Sequence, residues 1–141
     1  MEHELFFDGN LKEYSWSIKT GKEIVNQIRE HPAAYLSGGK LDIKNKEESR
    51  FVALHVGIYW GLGVFIIKDF DKIHVMCDSK EMYEILIQQH KTLNQIIDDK
   101  IHFINQLVGH RELKLEFHLI EPTKNIATEY LSGKNKTSTS R

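Results

Sequence analysis

The stretch Tyr14-Ser15-Trp16-Ser17-Ile18 alternates large and small side chains with period two, the pattern of an extended strand. Another strand, residues 4–8 with the apolar run Leu5-Phe6-Phe7, is expected before it. A third, Glu23-Ile24-Val25-Asn26-Gln27-Ile28, follows the tight turn Thr20-Gly21-Lys22. Three successive strands joined by short turns pair as an antiparallel meander, so every later element must be added to that nucleus.

Beyond the meander the periodicity changes. Residues 31–45 read as a loop with Ser37-Gly38-Gly39-Lys40 at its middle and a short extended piece at residues 33–36. Asn45 is placed as the N-cap of a helix starting at Lys46, with Glu47 and Glu48 in the favourable first turn; it runs to at least Gly61 and is apolar nearly all round after Phe51. Ile73-His74-Val75-Met76-Cys77 is a short strand. Helical spacing resumes over residues 80–89 and again over 93–108, with Gly109 as the expected C-cap. Leu113, Leu115, Phe117 and Leu119 alternate as in a half-buried strand, and residues 124–131 form a last helix after Pro122. Strands separated by helices join in parallel through right-handed crossovers. The expected object is an α/β domain over residues 1–132: a five-stranded mixed sheet, a meander of three plus two parallel strands, with helices on both faces. Residues 133–141 are expected to be a disordered polar tail.

Composition narrows the function classes. A chain of 141 residues suits one domain, and a net charge of -1 gives no global attraction to polyanions. The longest apolar run, residues 52–67, is interrupted by His55 and three glycines, so a buried helix is expected there and no membrane partner. Residues 1–7 lack the features of a signal peptide. One cysteine, Cys77, excludes an internal disulfide and makes an intracellular, cytoplasmic setting the default. Cys77, Met76, Trp16 and Trp60 read as packing residues. The eight histidines form no HxH or HxxxH pair, and each taken singly reads as structural.

Two apolar strands end in a carboxylate: Phe6-Phe7-Asp8 and His74-Val75-Met76-Cys77-Asp78. Asp8-Gly9 is also a strong turn signal, and a strand-end Asp read alone is more often a turn or cap residue than a ligand. Were the two strands parallel neighbours, however, both carboxylates would share one sheet edge at a backbone spacing of about 5 Å. The helix bearing Asn125 and Glu129 follows directly on the fifth strand. Such an acid cluster calls for a hard divalent cation, Mg2+ or Mn2+. Two such ions about 3.5–4 Å apart are the usual apparatus of phosphodiester hydrolysis.

Order and residues together resemble the ribonuclease H fold, specifically the type 1 RNase H and reverse-transcriptase-like family, over residues 4–132. Phe6-Phe7-Asp8-Gly9-Asn10 is similar to its "yxDGs", Gly61-Leu62 followed by Lys72–Ser79 to its "GL" and "vxvxsDS", and Asn125–Ser132 to its "NxxADxLA". The resemblance implies a nuclease cutting the RNA strand of RNA-DNA hybrids, with nucleic acid as partner. Asp8, Asp78 and Glu129 would be metal ligands, and Gly9, Asn10, Ser79 and Asn125 would lie at the substrate. The chain departs from the family at the second carboxylate: anchoring on Ala53-Leu54 places Arg50 there, and anchoring on Gly61-Leu62 places Leu54. Glu47 or Glu48 could stand in, completing a catalytic set of Asp8, Asp78, Glu129 and one of the two. Lys40, Lys44, Lys46 and Arg50 gather near the first helix, and Lys124 is the cation nearest the last; either group could meet phosphates or be solvated loop charge. A cation at the second-carboxylate position supports the alternative of a catalytically degenerate domain that binds nucleic acid or protein.

Overall fold

The computed structural model describes residues 1–31, 43–89 and 91–132. Its strands are β1 (Glu2–Gly9), β2 (Glu13–Thr20), β3 (Glu23–Glu30), β4 (Lys72–Cys77) and β5 (Lys114–Leu119). Its helices are α1 (Lys46–Gly63), α2 (Lys80–Gln88), α3 (Gln95–Arg111) and α4 (Ile126–Leu131). The strands form one sheet in the order β3-β2-β1-β4-β5. The β1–β2 and β2–β3 pairs are antiparallel and the β1–β4 and β4–β5 pairs parallel, the mixed sheet expected from the sequence. Residues 33–40 and 133–141, on which the extended piece, the Ser37–Lys40 loop and the disordered tail were expected, lie outside the described residues.

Alternation decides which side of the sheet is dry. Leu5 and Phe7 of β1, Trp16 and Ile18 of β2, and Ile73, Val75 and Cys77 of β4 are all buried on one face. Against them pack Phe51, Leu54 and Ile58 of α1, Met82 and Leu86 of α2, and Ile97, Ile101 and Ile104 of α3, in a single cluster. Helix α1 approaches closely because residue 57 is glycine: a Cβ there would stand 3.2 Å from Trp16 Cβ. Helix α4 covers the other face, where Ser15 Oγ donates to the Ala127 carbonyl at 2.9 Å. No described helix is long and apolar enough to cross a membrane.

The helix ends show where local signals held and where tertiary context overrode them. Asn45 caps α1 as expected, its Oδ1 accepting from Glu48 N–H at 2.9 Å. Helix α3, by contrast, runs through Gly109 to Arg111 and is capped by Glu112 in the left-handed conformation (φ 53°). Continuing one more half-turn lets Leu113 N–H close on the Val108 carbonyl at 3.0 Å and brings Leu113 into the core. The last helix also starts later than expected: Pro122–Lys124 form a 3-10 turn, and Asn125 caps α4 through its Oδ1 on Ala127 N–H. Leu119, expected to face inward, is exposed at the end of β5.

Candidate functional site

Parallel pairing of β1 with β4 sets Phe6 beside Met76, so two residues further along both strands Asp8 and Asp78 reach the same sheet edge. The first turn of α1 comes to this edge, and it can do so because residue 9 is glycine. A Cβ on Gly9 would lie 2.8 Å from Ser49 Cβ and 3.1 Å from the Ser49 carbonyl carbon, closer than side chains tolerate. The residue after Ser49 is Arg50, which this contact aims directly between the two aspartates.

Arg50 is the centre of the arrangement. Its Nε donates to Asp8 Oδ1 at 3.2 Å and its Nη1 to Glu47 Oε1 at 3.0 Å, and its Nη2 lies 3.4 Å from Asp78 Oδ1. The side chains of Asp8 and Asp78 are 2% and 4% exposed and that of Arg50 15%, so these are enclosed ion pairs with little solvent screening. Burial pulls the guanidinium pKa down, but Asp78, Glu47 and Asp8 together more than offset it and raise the value.

Other protein donors take the remaining oxygens. Asp8 Oδ1 also accepts from Gly9 N–H at 2.8 Å, and Asp8 Oδ2 accepts from Thr128 Oγ1 at 2.6 Å. Asp78 Oδ2 accepts from Asn125 Nδ2 at 2.9 Å, and that same nitrogen donates to the Phe7 carbonyl at 3.0 Å. Glu47 Oε2 accepts from Ser79 Oγ at 3.1 Å. A hydrogen bond to Glu47 raises the pKa of the neighbouring Glu81 carboxyl. Burial, and then Asp78 and Glu47, push the Cys77 thiol up to about 12, so it holds its proton and serves as packing.

The structure thus separates the sequence candidates. It brings together Asp8, Asp78, Glu47, Arg50, Ser79 and Asn125. Glu48, one residue from Glu47, points elsewhere: its carboxylate accepts from Lys44 N–H at 2.8 Å and Asn94 Nδ2 at 2.6 Å, tying α1 to the start of α3. Glu129 is exposed on α4, and the residue of that helix bonded to Asp8 is Thr128, which the sequence reading missed. Helical spacing held the signal, since Thr128 lies three residues after the cap Asn125 and shares its side of the short helix. Asn10 closes the turn after β1, its Oδ1 accepting from Lys12 and Glu13 N–H groups at 2.8 Å. Lys44, Lys46 and Lys124 are exposed around the edge, and Lys40 lies outside the described residues. Beside Arg50 opens a groove of about 660 Å³ bordered by Lys46, Glu47, Glu81, Ile85 and Leu93.

As arranged, this donor set does not fit a divalent cation. A metal ligand must offer a free oxygen lone pair directed at the ion, whereas the carboxylates of Asp8, Asp78 and Glu47 converge on a guanidinium that fills the space between them.

Comparison with known proteins places the edge in a wider setting. The family model described as reverse transcriptase-like matches residues 12–134. Among solved structures, RNase H1 from the halophilic archaeon Halobacterium salinarum NRC-1 is similar with a TM-score of 0.71 at 13% identity, covering 97% of this chain and 99% of that one. The N-terminal RNase H domain of a Mycobacterium tuberculosis protein gives 0.70 at 11% identity, covering 93% and 95%. LC11-RNase H1, solved in complex with an RNA/DNA hybrid, gives 0.67 at 13% identity, covering 98% and 99%. No match among curated proteins was found. The chain belongs to the reverse transcriptase-like family and has the ribonuclease H-like fold.

Proposed function

We propose that this protein is a nucleic-acid-binding member of its family in which Arg50 takes the place of the metal ions, so that the domain engages an RNA-DNA hybrid or a similar duplex without cutting it. The observation that carries this reading is the three-way ion pairing of Arg50 with Asp8, Glu47 and Asp78. A guanidinium enclosed by three carboxylates offsets one of their charges and occupies the space between them where Mg2+ or Mn2+ would sit, and withdrawing it would leave those carboxylates unpaired. The RNA/DNA hybrid bound by LC11-RNase H1 supports the choice of ligand. Recognition would come from duplex shape and 2'-hydroxyls, with Gly9, Asn10, Ser79 and Asn125 on the edge and Lys44, Lys46 and Lys124 around it.

A second reading has its own observation. Three carboxylates remain on one edge, with Glu129 on the neighbouring helix, which favours a metal-dependent endonuclease that hydrolyses the RNA strand of hybrids. That activity requires Arg50 to leave the carboxylates first.

Fluorescence anisotropy with labelled hybrid, duplex RNA and duplex DNA, followed by incubation of the hybrid with Mg2+ or Mn2+, separates the two. Saturable binding with intact hybrid is the expected result. Metal-dependent cleavage that disappears in Asp8→Asn and Asp78→Asn would establish the nuclease instead, and failure to bind any of the three duplexes would remove both readings.

A further inference from the structure

On the sheet face shared with α4, about 13 Å along β4 from Asp78 at strand rise, a second polar cluster has no part in the Arg50 edge. His74 of β4 pairs in register with Glu116 of β5, and His118 lies two residues further on the same side. Among the described residues, only these three bring His, Cys, Asp or Glu ligand atoms within 4.8 Å of one another as a triad. We propose that His74, His118 and Glu116 form a binding site for a divalent transition ion of the Zn2+ class.

The geometry of the three side chains and of their partners supports the site. His74 Nδ1 lies 2.8 Å from His118 Nε2, and Glu116 Oε2 lies 3.1 Å from His118 Nε2 and 3.7 Å from His74 Nδ1. The circle through these three atoms has a radius of about 1.9 Å, just under the Zn–N and Zn–O bond lengths of about 2.0–2.2 Å. An ion therefore seats slightly above their plane, in contact with all three, without moving a strand. The other nitrogen of His74 is committed: Nε2 is 2.7 Å from Glu2 Oε1 on β1, which fixes the proton on Nε2 and leaves the Nδ1 lone pair directed at the cluster. A carboxylate behind a ligating histidine is the usual support of such sites. Lys72 Nζ holds the other oxygen of Glu116 at 2.9 Å, orienting the carboxylate so that Oε2 faces the histidines.

Without metal, His118 Nε2 lies within hydrogen-bond distance of both His74 Nδ1 and Glu116 Oε2. In the metal-bound form neutral His118 carries its one ring proton on Nδ1 and presents the Nε2 lone pair to the ion. Two imidazoles favour Zn2+ over Mg2+, which prefers oxygen alone. The side chains of His74, Glu116 and His118 are 20%, 47% and 35% exposed, so the fourth coordination position opens to water. Because His74 comes from β4 and the Glu116/His118 pair from β5, no sequence spacing announces the whole site.

The test is calorimetric titration of the tag-free full chain with Zn2+, alongside nitrogen-15 spectra of the histidine rings. One ion per chain is expected, with His74 Nδ1 and His118 Nε2 resonances shifting on binding. His74→Gln and His118→Gln should abolish that stoichiometric binding, and Glu2→Gln should weaken it by about 10- to 100-fold. Asp8→Asn should leave it unchanged, which separates this site from the Arg50 edge. Absence of Zn2+ binding by the parent chain would overturn the proposal, as would undiminished binding by the His118→Gln variant with a parental circular dichroism spectrum.

Discussion

At the residue scale, the chemistry of this protein turns on one cation, Arg50. Arg50 lies among Asp8, Glu47 and Asp78, and the consequence is a closed ion-pair cluster instead of an open acidic one. Replacing Arg50 with Ala would strand two nearly inaccessible aspartates and Glu47, a loss of about 3–5 kcal/mol in urea denaturation. Addition of Mg2+ should raise the melting temperature of Arg50→Ala and not that of the parent, because only the variant presents unpaired carboxylates to a cation. Equal responses would mean that the guanidinium does not exclude metal. Gly9 is as constrained sterically as Arg50 is electrostatically. Gly9→Ala forces its new methyl into Ser49, which lies in the first turns of α1, and should cost about 1–3 kcal/mol by overpacking while loosening the aim of Arg50. In the sequence Arg50 was one of two residues, with Leu54, that anchoring on the family pattern sets at the second carboxylate. The three partners of Arg50 were not legible there, since they lie on β1, α1 and the end of β4.

At the scale of elements, helix starts do most of the positioning. Asn45, Ser79, Asn94 and Asn125 each cap a helix with their side-chain oxygen. Three of them also hold a second partner: Ser79 reaches Glu47, Asn94 reaches Glu48, and Asn125 reaches Asp78 and Phe7. The choice between Glu47 and Glu48 was undecidable from sequence because both occupy the same favourable first turn. In the helix they diverge by about 100°, which sends Glu47 to the carboxylate edge and Glu48 to α3. Glu48→Ala should therefore destabilise the fold by about 1–3 kcal/mol, through the unpaired Lys44 N–H and Asn94 amide, and leave hybrid affinity unchanged in anisotropy. A loss of affinity beyond the loss of stability would place Glu48 in the interface. Local signals also located α1, α2 and every strand. They failed at the end of α3, where burial of Leu113 outweighed the stop signal of Gly109.

For the whole molecule, pH and salt report on buried and surface charge respectively. His55 of α1 lies against Phe103 and near Lys100 of α3, and its Nδ1 is buried without a partner. Burial, with Lys100 second, lowers its pKa from 6.5 to about 4. The unfolded chain therefore takes up a proton before the folded chain does. Its contribution is complete above pH 6.5 and falls away as pH drops toward about 4, by roughly 3 kcal/mol at most. Urea denaturation at a series of pH values should show this decline, and His55→Leu should flatten it. With a net charge of -1 and, among the described residues, Lys12, Lys44, Lys46, Lys80 and Lys124 as exposed cations in the segments that flank the edge, few counterions can be released on binding. The logarithm of hybrid affinity should fall against the logarithm of salt with a slope no steeper than about -5. A much steeper slope would locate the interface on another surface.

The sequence by itself determined the elements, the five-stranded mixed sheet and the arrival of Asp8 and Asp78 at one edge, because strand and helix periodicities, caps and crossover rules act over short ranges. Tertiary structure alone decided what those aspartates do. Whether they face a cation from outside or one from within depends on how far α1 slides past β1, and the contact of Gly9 with Ser49 fixes that distance. The same holds for the His74, Glu116 and His118 cluster, whose members are separated by up to 44 positions and meet only through the register of β4 with β5.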